Sequence, residues 1–132
     1  MSTRAIYSFK DERELHHVYK HHDGYPSGAA GFIANALSLA WPLPRFEADE
    51  FAASFVAANK GSAGGVRLLH SGDWKDVAPG DVEYRYHINV QGSRLHVAAY
   101  AVHQDYKTGV WTEKLLFAGK LDDFARFADK AA

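Results

Sequence analysis

Between Val82 and Val102 the chain alternates apolar and polar residues almost without a break. Val82, Tyr84, Tyr86, Ile88 and Val90 are separated by Glu83, Arg85, His87 and Asn89, and Leu95, Val97, Ala99 and Ala101 repeat the pattern. Successive side chains of a strand point to opposite faces, so each run has one apolar face. If Gly92-Ser93 is a two-residue turn with glycine first, Val90 faces Leu95, Ile88 faces Val97, Tyr86 faces Ala99 and Tyr84 faces Ala101. Both apolar sets then share one side, and a slip of one residue would turn one set to water. The other side gathers Arg85, His87 and Asn89 opposite Tyr100, Ala98 and His96. A hairpin of this kind is half-buried and needs a covering layer.

The remaining segments supply that layer. Ala5–Phe9 and Leu15–Lys20 read as two strands joined through the charged cluster Lys10-Asp11-Glu12-Arg13-Glu14. A helix follows the turn His21–Gly28 and runs to about Leu39, because Ala29, Phe32, Ile33, Ala36, Leu37 and Ala40 recur with the helical period. Trp41-Pro42-Leu43-Pro44 stops it, since each proline removes a donor and holds its predecessor extended. A second helix is expected over about Glu47–Asn59, with acidic residues in its first turn and Lys60 at its end. Gly61-Ser62-Ala63-Gly64-Gly65 reads as a flexible connection, Val66–His70 and Val110–Ala118 as strands, and Leu121–Ala131 as a short closing helix. The order is β-β-α-α-β-β-β-β-α. With 132 residues this predicts a single α+β domain, 1–132, built on a largely antiparallel sheet with helices packed on one face.

Charge and composition exclude several function classes. Fifteen basic residues stand against sixteen acidic ones with no long block of either sign, so sequence-independent nucleic-acid binding is not expected. The absence of cysteine removes disulfides, thiolate metal sites and cysteine nucleophiles. Met1-Ser2-Thr3-Arg4 leads straight into the first strand, and no apolar run approaches the length of a membrane span. The expectation is a cytoplasmic protein without a membrane partner, its oligomeric state open.

Two surfaces carry candidate chemistry. The first is the loop Lys20, His21, His22, Asp23, Gly24, Tyr25, Ser27 and Gly28, where a glycine-containing turn feeds a helix N-terminus. Unpaired amides there would converge on an anion, with Lys20, His21 and His22 adding charge at the rim and the glycines admitting a ligand to the backbone. The competing reading is purely structural: Asp23-Gly24 makes a turn, Pro26 opens the helix, and Ser27 or Asp23 caps it. The second surface is the polar sheet face of Arg85, His87, Asn89, His96 and Tyr100, suited to a phosphorylated or aromatic ligand or to a protein partner. His17 and His21 have the spacing of a helical zinc pair, but on a strand they stand about 13 Å apart and cannot share an ion. No phosphate loop, nucleophile elbow, zinc-protease or dinucleotide motif occurs, and no catalytic residue, cofactor or metal is assigned.

The stretch Tyr19-Lys20-His21-His22-Asp23-Gly24-Tyr25-Pro26-Ser27-Gly28, running into Phe32 and Leu37, resembles a set of small, uncharacterised phage and prophage proteins. In these a hairpin leads into a His-x-Asp-Gly-Tyr-Pro-like turn and a glycine-bearing helix. The resemblance covers about residues 4–40 and implies a phage or mobile-element setting, in which small proteins bind host machinery or sequester a signal molecule. The expected function is therefore a non-catalytic binding protein that recognises a phosphorylated, nucleotide-like small molecule or a host protein. The alternative is a small phosphoester-processing enzyme using histidines of the sheet face.

Overall fold

A computed structural model describes residues 2–61 and 65–131. The connection read at Gly61–Gly65 lies mostly outside the described residues. Strands β1 (Ala5–Lys10) and β2 (Leu15–Lys20) are followed by helices α1 (Pro26–Leu39) and α2 (Ala48–Asn59) and by the short strand β3 (Val66–Leu68). A single helical turn, α3 (Trp74–Val77), precedes the meander β4 (Tyr84–Gln91), β5 (Arg94–Gln104) and β6 (Trp111–Lys120), and α4 (Leu121–Ala131) closes the chain. The six strands form one sheet in the order β3-β2-β1-β4-β5-β6. β1 and β4 run parallel, and every other pairing is antiparallel.

The β4–β5 register follows the apolar alternation residue for residue: Val90 pairs Leu95, Ile88 pairs Val97, Tyr86 pairs Ala99, and Tyr84 pairs Ala101. Gly92 opens the turn at φ 64°, the positive value that the first position of a glycine-first turn requires. In the β1–β2 turn the Asp11 carboxylate accepts the amides of Arg13 and Glu14, each at 2.8 Å, as an aspartate-centred turn does. Its second oxygen accepts the Ala48 amide at 2.8 Å, so a turn residue also caps the start of α2.

Three helices cover one sheet face. Ala29, Ile33 and Ala36 of α1, Phe51 and Phe55 of α2, and Phe124 of α4 share a core with Tyr7, Phe9, Val18, Tyr86, Ile88 and Val97. Tyr7 lies 4.5 Å from Phe55 and 5.1 Å from Tyr86 between ring centroids, and burial of each such ring stabilises the fold by about 1.5–3 kcal/mol.

The expectation that helices occupy one face alone needs correction. α3 lies against the opposite face, where Trp74 packs with Ile6, Tyr19, Val82 and Val102 in a second apolar cluster. Asp73 caps that turn by accepting the Lys75 amide at 3.0 Å. The physical reason is the central position of β1. With neighbours on both sides, Ile6 on its far face is as buried as Tyr7 on its near one, and needs a cover of its own.

Candidate functional site

The two candidate surfaces lie in different parts of the molecule. The loop after β2 packs at the amino end of β1, where it is largely consumed by the fold. The Gly24 amide donates to the Thr3 carbonyl at 2.8 Å, and the Gly24 carbonyl accepts the Tyr86 hydroxyl at 2.6 Å. A Cβ on Gly24 would meet the Ala5 Cβ at 2.6 Å, so this glycine serves close backbone packing. A Cβ on Gly28 would run into the Asp23 carbonyl oxygen, which fits the first turn of α1 against the loop. Asp23 takes the left-handed conformation at φ 58°. Neither it nor Ser27 caps the helix; Tyr25 holds the cap position without a side-chain bond, and Pro26 opens the helix as its fixed φ favours.

Lys20 departs most from expectation. It is fully buried on the helix side, its ammonium 4.2 Å from the Phe32 ring centroid and donating to the His22 carbonyl at 3.3 Å. Burial pulls its pKa below the ordinary lysine value, against the opposing charge of Asp23. A charge so placed does not serve as a rim cation. His21 accepts from the Tyr19 hydroxyl at 2.8 Å and from Arg4 Nε at 3.3 Å through Nδ1, and desolvation, then the Arg4 charge, lowers its pKa. His22 Nδ1 is bonded to the Ser2 hydroxyl at 3.0 Å, and Tyr25 is exposed.

The sheet face divides in two. Near its covered end, Arg85 lies between the rings of Trp74 and Tyr100, with centroid distances of 5.1 and 5.3 Å. Its Nη1 donates to Glu113 at 3.4 Å and its Nη2 to His87 Nδ1 at 3.5 Å, while Nε is buried without a partner among the described residues. Beside this stack, His17 Nε2 faces the Gly72 carbonyl at 2.8 Å. A carbonyl only accepts, so Nε2 carries the proton, and neutral His17 accepts the Ser8 hydroxyl at Nδ1, 2.7 Å away. Burial holds the His17 pKa low and keeps the ring neutral. Ser8 and His17 are both buried, so this pair ties β1, β2 and the Gly72 loop together instead of facing solvent.

The other end of the face is open. His87, Asn89, Gln91 and His96 border a shallow depression of about 330 Å³ floored by Ala98 and Ala118. His87 pairs Ala98, and Ala98 pairs Ala118, so two small residues beside a histidine leave the hollow. Among the described residues no carboxylate lines it. Burial, then the charges of Arg85 and Lys10, depresses the His87 pKa, so this part of the face sits in a positive field. Because Arg85 donates to Nδ1, neutral His87 carries its own hydrogen on Nε2.

Of the sequence-derived candidates, the fold brings Arg85 and His87 into contact, sets Tyr100 beside Arg85, and places His96 across from Asn89. It leaves Lys20 through Gly28 as a separate packed turn. The sequence reading missed Trp74 and Glu113 as partners of Arg85, and Ala118 as floor. The turn residues Ser71-Gly72-Asp73 ahead of Trp74 signalled a helix start, whereas Ala118 becomes visible only once β6 is paired. Among the described residues, no group of three metal-ligating side chains converges and no helix is long and apolar enough to cross a membrane. Comparison with family models, curated proteins and solved structures finds no match to the chain.

Proposed function

We propose that this is a non-catalytic binding protein, of the kind mobile elements carry, that takes a phosphorylated, nucleotide-like small molecule on the open end of its sheet face. The observation that carries this reading is the carboxylate-free hollow bordered by His87, Asn89, Gln91 and His96, in a field to which Arg85 and Lys10 contribute positive charge. Imidazole and amide donors suit phosphate oxygens and the edges of a base, and an anion there would raise the His87 pKa and gain charge-assisted bonds. Binding is favoured over turnover because the Ser8–His17 pair is sealed, and Arg85 is held by Glu113 and His87.

The test is to incubate the protein with a panel of nucleoside mono- and diphosphates, then to measure affinity by calorimetry and ligand integrity by mass spectrometry. Intact ligand, with binding lost in Ala118→Met and weakened at least about tenfold in His96→Gln, supports the proposal. Converted product that disappears in His87→Ala would replace it with phosphoester processing. Absence of saturable binding across the panel would dismiss a phosphorylated ligand at this face.

A further inference from the structure

The strands β1 and β4 are parallel neighbours at the centre of the sheet, and the chain leaves them in opposite directions. From Lys10 it turns through Asp11–Glu14 to β2 on one side, and from Gln91 it turns through Gly92-Ser93 to β5 on the other. Two connections that diverge from adjacent carboxyl ends leave a gap that neither covers, and this divergence makes the ligand crevice in open sheets with parallel strands. Here the gap is a cavity of about 620 Å³, within the range of small-molecule sites and nearly twice the volume of the hollow on the sheet face.

Its lining has two characters. Phe46, Pro44 and Val90 give it apolar wall, with Phe46 steadied by Phe51 at 5.4 Å. Lys10 and Arg13 are the cations, and neither forms an ion pair among the described residues. The carboxylates are mostly committed elsewhere. Asp11 accepts three backbone amides, which hold its pKa low, and Glu47 accepts from Arg45 at 3.3 Å. Asp11 stays ionised and Arg45 offsets Glu47, so the lining is near neutral as a whole, and it is the position of Lys10 and Arg13, neither held in an ion pair among the described residues, that gives the crevice a cationic end.

We propose that this crevice is a second ligand site, adjoining that of the sheet face, for a small molecule that joins a flat apolar body to one anionic group. The apolar body lies against Phe46, Pro44 and Val90, and the anion meets Lys10 and Arg13. Asn89 borders both the crevice and the sheet-face hollow, so ligands at the two sites would sense each other across a single side chain.

The experiment titrates the full chain with benzoate and with phenyl phosphate, following amide shifts by NMR, with benzyl alcohol and inorganic phosphate as controls. Saturable shifts centred on Arg13 and Gly92 are expected for at least one of the two aryl anions, with affinity at least about tenfold above both controls. Lys10→Gln/Arg13→Gln should weaken binding by a similar factor, whereas His96→Gln should leave it unchanged. Both substitutions lie at exposed or half-buried positions, and far-ultraviolet circular dichroism checks that the fold persists. Absence of saturable shifts, shifts centred on His96 and Ala118, equal binding of benzyl alcohol, or indifference to the double charge removal would each overturn the proposal.

Discussion

Tyr7 and Tyr86 stack at 5.1 Å in the same core, yet their hydroxyls have opposite circumstances. The Tyr86 hydroxyl donates to the Gly24 carbonyl at 2.6 Å, whereas the Tyr7 hydroxyl is buried without a partner among the described residues. Burial raises both phenol pKa values far above the ordinary range, so both are neutral donors at any working pH. Deleting the oxygen of Tyr86 leaves a buried carbonyl without this bond, at a cost of about 1–3 kcal/mol. Deleting that of Tyr7 removes a polar atom whose desolvation nothing offsets, which gains up to about 1 kcal/mol once the small void is counted. Tyr7→Phe should therefore match or exceed the parent in stability, and Tyr86→Phe should fall about 2–3 kcal/mol below Tyr7→Phe. Urea unfolding at neutral pH measures this, and a similar m value in all three proteins establishes that only stability changed. Comparable losses in both variants would refute the reasoning, because Tyr7 would then have a hydrogen-bond partner such as a buried water.

Two glycines of α1 should respond oppositely to alanine. Gly31→Ala meets nothing within 4 Å and should gain about 0.5–1 kcal/mol of helix stability, whereas Gly28→Ala drives a methyl into the Asp23 carbonyl and should lose about 1–3 kcal/mol. Thermal melts of the two variants check the signs, and a stabilised Gly28→Ala would contradict the tight turn. Acid should weaken the fold before any carboxylate titrates. His17 and His87 have lowered pKa values in the folded chain, so below about pH 6.5 the unfolded chain binds more protons and stability falls with pH. The slope is at most about 1.4 kcal/mol per pH unit for each of the two histidines, and it develops before the lowered Asp11 pKa matters. Urea midpoints that stay level or rise from pH 7.5 to pH 5 would contradict it. Lys20→Met should be tolerated or stabilising, since it replaces a buried ammonium held by one long bond with an apolar chain of similar volume. A loss above about 2 kcal/mol in chemical denaturation would mean that the ammonium has a structural role.

The amino-acid sequence by itself determined what short-range periodicity can encode. The register of β4 on β5, the glycine-first turn at Gly92, the apolar stripe of α1 and the helix start at Pro26 depend on residues a few positions apart, whose spacing decides which face each side chain takes. Tertiary structure alone decided the parallel pairing of β1 with β4, the burial of Lys20 and the fate of the Gly24 amide and carbonyl, which meet Thr3 and Tyr86. These contacts join positions far apart in the chain, 62 residues for the Tyr86–Gly24 bond and more for the pairing of Ala5 with Tyr84, and no local pattern distinguishes an amide awaiting a ligand from one awaiting a distant strand. The crevice belongs to the same class. It exists because two chain segments leave adjacent strand ends in opposite directions, a property of topology rather than of any residue that lines it.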